Sequence, residues 1–289
     1  MFNINATDLK VKIPSEIIGV DMGQSLSKIA FIQDNVLICS SYSTQNDLSL
    51  IEENLESKIN HYKSMNFTGG KCFKLFQSYS TKYKAEILNE FDANVKGVEI
   101  LYQLEKKKEL PPSLIVTIGT GTSMVSKKNS IDHLGGTAIG GGFFMGLIKA
   151  LFNISDYNEG LNLGKKGNRY NVDLKVSDIY DLNDNRINAI FREFTAASLG
   201  KIDINYDNKN MKKEDFINSL ICMIGENIGT IANLMADTNN LTNIVFCGGF
   251  LKENKILRKI LSLLCVVNKK KAIFLKNSEF SAATGALFL

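Results

Sequence analysis

Histidine, tryptophan and proline are nearly missing from this 289-residue chain, which carries two, none and three of them. With only His61 and His133, and with Cys39, Cys72, Cys222, Cys247 and Cys265 odd in number and widely spaced, there is no CxxC pair and no zinc-ligand pattern. A reduced, cytoplasmic interior is the expectation. Three prolines against 22 glycines exclude a collagen-like or proline-rich linker composition. No run of signal-peptide type opens the chain, since Asp8, Lys10 and Lys12 interrupt residues 1–14, and no stretch reads as a membrane span. Charge of one sign is also lacking. The 34 basic and 30 acidic residues leave a net charge of +4, too balanced for a nucleic-acid face, and Lys106 to Lys108 and Lys269 to Lys271 read as solvated surface.

What is present is a soluble globular composition, 44% hydrophobic and 22% charged, long enough to bury a full core. The available chemistry rests on carboxylates, hydroxyls, backbone amides and bound cofactors, the means of phosphoryl transfer.

Apolar runs at Ile17 to Ile32 predict two strands joined by a polar turn at Met22 to Ser25, followed by a strand at Val36 to Ser40 and a helix over Leu48 to Tyr62. Lys84 to Asn89 reads as extended and ends at Glu90-Phe-Asp92. Helical spacing then covers Ala93 to Lys107, stopped by Pro111-Pro112 before a buried strand at Leu114 to Ile118. Strand, glycine turn and strand recur in Ile115 to Val125, so two similar halves are expected. Further on, helices are predicted at Phe143 to Phe152, Glu214 to Ala236, Asn254 to Leu264 and Ser281 to Phe288, with strands at Asn243 to Phe246 and Ala272 to Leu275. Strands alternating with helices make an α/β protein.

Several segments suit a nucleotide. Asp21-Met-Gly-Gln-Ser-Leu-Ser-Lys28 places a strand-end carboxylate, a glycine, two hydroxyls and a lysine on one hairpin, where Asp21 can bind magnesium or its waters and turn amides can face phosphate; a plain polar turn is the alternative. Gly119-Thr-Gly-Thr-Ser123 alternates glycine with hydroxyl directly after a strand, and is no dinucleotide fingerprint because a strand follows it. The glycine-rich run Gly135 to Gly142 opens a helix and is expected to leave free amides for an anion. Glu90-Phe-Asp92 is either a functional carboxylate pair or a solvated one. Cys247-Gly-Gly-Phe250 is either a tight turn or a place for a flat adenine ring to pass.

Their order along one chain resembles the type II, eukaryotic-like pantothenate kinases of the actin, Hsp70 and sugar kinase superfamily. The likeness rests on Thr68-Gly-Gly70, Glu90-Phe-Asp-Ala93, Ile118-Gly-Thr-Gly-Thr-Ser123, Gly135 to Gly142, Gly167 to Leu174, Asp178-Ile-Tyr180 and Phe280 to Leu287. It implies an α/β fold of two actin-like (ribonuclease H-like) lobes, each a mixed sheet flanked by helices, with the nucleotide in the cleft between them. The expected division is an N-terminal extension over 1–15, a first lobe over 16–115 and a second over 116–289. The implied reaction moves the γ-phosphate of ATP, with Mg2+, to the primary hydroxyl of pantothenate. Glu90 is then the general base. Gly23, Gln24, Ser25, Leu26, Ser27 and Lys28 form the first phosphate loop, with Asp21 at the metal, and Thr120, Gly121 and Thr122 form the second. Gly141, Gly142, Phe143, Phe144, Met145, Tyr157 and Gly249 line the nucleotide, and His133, Gly135, Gly136 and Arg169 lie on the substrate side.

The resemblance also implies a homodimer, with the helix Phe216 to Met235 as interface or as buried core, and coenzyme A or its thioesters as inhibitors. Three positions depart from the family's usual pattern: Gln24 where glycine is usual, Asn168 where aspartate is common, and His133 where arginine usually precedes the glycine pair. An imidazole cannot form a guanidinium fork, so either His133 is a surface loop residue beside Asp132 with Lys127, Lys128 or Arg169 supplying the missing charge, or the handling of the substrate is weakened or altered. A related sugar kinase and a catalytically silent nucleotide-binding regulator are the alternative readings.

Overall fold

The computed structural model describes residues 2–7, 9–44, 49–59, 61–181, 183–186, 192–202 and 211–289. Strands β1 (Phe2–Asn5), β2 (Ile17–Met22), β3 (Leu26–Gln33) and β4 (Val36–Ser43) are followed by α1 (Ser49–Ile59), β5 (Ser64–Thr68), α2 (Phe73–Ser80) and β6 (Lys84–Ile87). Leu48, the expected start of α1, lies outside the described residues. The meander β2–β3–β4 is antiparallel, β5 and β6 add in parallel, and the six-stranded order is β1-β4-β3-β2-β5-β6. Residues 1–15, expected as an extension, contribute the edge strand: Phe2 pairs with Cys39 and Asn5 with Val36.

Helix α3 (Glu90–Lys106) leads to β7 (Ser113–Ile118), β8 (Thr122–Lys127) and β9 (Ile131–Thr137). After these come α4 (Gly141–Phe152), α5 (Tyr157–Lys166), β10 (Leu174–Lys175), α6 (Val176–Ile179), β11 (Thr195–Ala197) and the long α7 (Lys213–Thr238). The chain closes with β12 (Asn243–Cys247), α8 (Lys255–Val267), β13 (Lys271–Phe274) and α9 (Ser281–Phe288). The second large sheet, β13-β12-β7-β8-β9, again combines an antiparallel meander with two parallel strands, so the two halves share one topology.

Side-chain alternation along the strands divides the core into three layers. Ile18, Val20 and Met22 face α1 and α2; Leu114, Val116 and Ile118 face α4, α7 and α8. Between the sheets, Ala30, Ile32, Ile115 and Val245 pack on α3 and α9. These two helices cross in intimate contact because Gly97 and Gly285 lack side chains: a Cβ on Gly97 would strike the Ser281 carbonyl, and one on Gly285 the Ala93 carbonyl. Thus the last helix of the chain packs on the first sheet, against β2, where Gly19 leaves room for it.

Helix α7 has the length and apolar character to cross a membrane, contrary to the sequence expectation that no segment does. Ile217, Leu220, Ile221, Ile224 and Ile228 are fully buried in the second core, and Leu234 is an exposed large hydrophobic on it. Phe216 to Met235 thus contributes one face to the core. All five cysteines are buried and unpaired.

Candidate active site

The end of β2 and the start of β3 form the first side of the site. A tight turn closes with the Gly23 amide donating to the Leu26 carbonyl at 3.1 Å, and Asp21 and Lys28 stand at paired register positions. Lys28 Nζ donates to Asp21 Oδ2 at 2.7 Å, with both side chains nearly buried. The other carboxylate oxygen lies against Gly69, which has φ +90°; a Cβ there would sit 2.6 Å from Asp21 Oδ1. Only glycine gives both that backbone and that space.

Glu90 comes to this pair from α3. The sequence reads Glu90-Phe-Asp92 as the end of an extended piece, but Asn89 caps a helix that begins at Glu90: its Oδ1 accepts from the Phe91 amide at 2.8 Å and the Asp92 amide at 3.3 Å. Thr68 ties the preceding segment down by donating to the Leu88 carbonyl at 3.3 Å. Desolvation raises the Glu90 pKa above the ordinary carboxylate range, the negative charge of Asp21 raises it further, and Lys28 opposes both. Aspartate, lysine and glutamate thus form one electrostatic unit.

The second loop crosses from the other half. Gly119, Thr120 and Gly121 turn between β7 and β8, and the Thr120 hydroxyl lies 3.3 Å from that of Ser25, so the two loops meet. The glycine run is divided: Gly135 and Gly136 belong to β9, and α4 begins at Gly141. Its first amides, expected from the sequence to be free, are engaged instead: Gly141 N donates to the Gly119 carbonyl and Gly142 N to the Thr120 carbonyl, each at 2.8 Å. A Cβ on Gly142 would stand 2.5 Å from Thr120 Cγ2, so these glycines let helix and loop interlock.

Other expected contact residues divide by exposure. Ser27 is fully buried with its hydroxyl 2.8 Å from that of Thr44, and Thr122 donates to the Ile139 carbonyl, so neither hydroxyl faces the cleft. Phe144 is a core residue, and Tyr157 donates to the carbonyls of Phe250 and Lys252 while its ring packs on both phenylalanines. These four shape walls. Gln24, Leu26 and Phe143 are exposed, Met145 is half-buried, and the space above Gly249 is open.

Arg169 does not supply a substrate-side charge. It is buried, with Nε on Asp173 and a bidentate fork on Glu226 at 2.6 and 3.0 Å, and it anchors the segment after α5 to α7. Glu226 and Met235, which borders Gly135, are nine residues apart on α7, a rise of about 13 Å. Lys127 is paired with Glu99 at 3.2 Å. His133, expected beside Asp132 in a loop, instead stands on β9 with its ring stacked on Phe91.

Two participants escaped the sequence reading. Lys71, just after Thr68-Gly-Gly70, anchors its amide on the Met22 carbonyl at 3.0 Å and brings Nζ to 3.5 Å from the Gln24 carbonyl. Its one sequence signal is its place after a strand-end glycine pair. Asn94 bonds Ser281 and Thr117 between the sheets, and a lone asparagine in an apolar helix gives no signal of that role. An open cavity of about 480 Å³ runs along α3, lined by Leu88, Asn89, Asp92, Lys96 and Ile131 among others, and Glu90 is not part of its lining.

Among solved structures, the chain resembles a ROK hexokinase from Thermus thermophilus, with TM-score 0.55 at 10% identity over 94% of this chain and 97% of that one. A ROK family protein from Streptococcus pneumoniae in complex with sucrose gives TM-score 0.55 at 11% identity, covering 94% and 96%. The fold is therefore that of the actin-like ATPases and sugar kinases. The Fumble family model matches residues 38–289. Type II pantothenate kinases of Bacillus thuringiensis and Oceanobacillus iheyensis are each 33% identical to this chain over 93% of its length and 96% and 98% of theirs. The chain belongs to the Fumble family, with the type II pantothenate kinases as its relatives.

Proposed function

We propose that this chain is a pantothenate kinase, transferring the γ-phosphoryl group of ATP to the primary hydroxyl of pantothenate in the first step of coenzyme A synthesis. The observation that carries the mechanism is the convergence of Glu90, Asp21 and Lys28 at the place where the Ser25 and Thr120 loops meet. Glu90 accepts the hydroxyl proton as the oxygen attacks phosphorus. Its raised pKa, caused by burial and by the charge of Asp21, makes it a better base. The transition state is loose, so alignment of the acceptor and neutralisation of the phosphoryl oxygens carry most of the rate.

Ser25, Thr120 and the exposed amides of the two turns hold the phosphates, and Lys28 and Lys71 bring positive charge to the same rim. Phe143, Met145 and Gly249 border the adenosine. A divalent cation, Mg2+ in this reading, fits the donor set: Asp21, half-neutralised by Lys28, offers a carboxylate to the ion or its waters, and nucleotide phosphates complete the shell. When bound it neutralises charge on the transferring group. Cytoplasmic placement, a homodimer and inhibition by coenzyme A or its thioesters belong to the same reading.

The test is ATP-dependent phosphorylation of pantothenate, with Glu90→Ala as control. Transfer by the native chain and its loss in the variant are expected. ATP binding without transfer to pantothenate, hexoses or N-acetylglucosamine overturns the kinase reading and leaves a nucleotide-binding regulator.

A further inference from the structure

The Glu90 carboxylate accepts no hydrogen bond from a side chain or amide among the described residues; desolvation and the charges of Asp21 and Lys28 are what act on it. Its position is therefore set by the backbone of the first turn of α3. That turn is held from below by Asn89, whose side chain accepts from the Phe91 and Asp92 amides. From the opposite half it is held by a ring. His133 lies over Phe91 with centroids 4.0 Å apart and planes 19° from parallel.

The backbone of β9 is shaped for this contact. His133 pairs with Val125, but Met124 pairs with Gly135, so Leu134 is an extra residue in the ladder. Gly135 takes φ +129°, in the region that favours glycine. A bulge of this kind re-aims neighbouring side chains and bends an edge strand. β9 is the edge of the second sheet, and the imidazole is directed off it onto α3. Asp132 does not compete for the ring, because its Oδ2 accepts from Ser130 at 2.8 Å. The same two segments approach each other at a neighbouring cavity, lined by Asn89 and Asp92 from α3 and by Ile131 from β9.

We infer that His133 is a positioning residue for Glu90: stacked on Phe91, it holds the first turn of α3 against the second sheet and fixes where the carboxylate stands. The inference rests on the reading of Glu90 as the base, whereas the stack is measurable without any turnover. Ring planarity is what the contact uses, so phenylalanine at 133 keeps it and alanine removes it.

The experiment compares native chain, His133→Ala, His133→Phe, Glu90→Gln and the Glu90→Gln/His133→Ala double variant. Expected is a fall in kcat of about three- to tenfold in His133→Ala, the size of an aromatic pair, with the KM for ATP unchanged and near-native kcat in His133→Phe. In the Glu90→Gln background, removal of the ring has no further effect. Amide exchange at Phe91 and Asp92 is faster in His133→Ala and native in His133→Phe. Native kcat in His133→Ala, an additive loss in the double variant, or a His133→Phe as slow as His133→Ala overturns the inference. If the native chain transfers nothing to pantothenate, the functional reading fails, and exchange alone decides the stack: equal rates in native and His133→Ala overturn it.

Discussion

Glu90 is favoured as a carboxylate by its place at a helix N-terminus, yet burial and the charge of Asp21 prevail and raise its pKa. Because the base acts only when ionised, kcat/KM for pantothenate falls as pH drops through that raised pKa, above the ordinary value of about 4.3. A pH–rate profile of the free enzyme reads it directly. Glu90→Gln lowers kcat by about 10²- to 10⁴-fold, the usual contribution of a general base, and leaves ATP affinity near native by calorimetry. Lys71 is argued differently. Its ammonium lies at the turn carrying Gln24 and, among the described residues, pairs with no carboxylate. Lys71→Met should raise the KM for ATP several-fold and make it less sensitive to salt, as loss of a surface-accessible cation requires. An unchanged salt dependence removes Lys71 from the phosphate site.

At the scale of elements, most helices and strands are legible because the apolar period is strong. The helix over Ser281–Phe288 is an example, with its small residues serving close packing. The start of α3 was misread: the short extended run Lys84 to Asn89 masked the capping asparagine, though Asn89 followed by Asp92 is a helix-start pattern. The free amides expected at α4 failed for another reason. Glycine permits close approach to a ligand or to another part of the chain, and only the fold shows that the Gly119 and Thr120 carbonyls arrive there first. The crossing of α3 and α9 yields a test of its own. Gly97→Ala places a methyl group on the Ser281 backbone, where no side chain can yield. Its cost should exceed the 1–3 kcal/mol typical of overpacking, read as a large fall in the denaturant midpoint. A loss below about 1 kcal/mol contradicts the observed contact.

For the molecule as a whole, the two sheets meet through α3 and α9, and the Ser25–Thr120 contact belongs to that seam. Nucleotide bound between the halves should stabilise both. At 100 times its Kd, ATP adds about 2.7 kcal/mol to unfolding, seen as a rise in Tm. A Ser25→Ala/Thr120→Ala double variant loses most of that rise at the same ATP concentration. A full rise in the double variant places the nucleotide elsewhere.

Local pattern alone established the α/β class, the repeated strand–turn–strand halves and the two hydroxyl-bearing turns, and left Glu90 open between a functional carboxylate and a solvated one. These are short-range properties, written in apolar spacing and in residues with special backbone freedom. The destination of each long side chain and each bare amide was decided by tertiary contacts. Arg169 closes on Asp173 and Glu226, Lys71 reaches the Gln24 carbonyl, and His133 covers Phe91. Apart from Asp173, these partners stand 42 to 57 residues away in sequence, Arg169 and Lys71 meeting theirs within one half and His133 meeting Phe91 across the two, because burial of charge and stacking of rings depend on what the fold brings within a few ångströms.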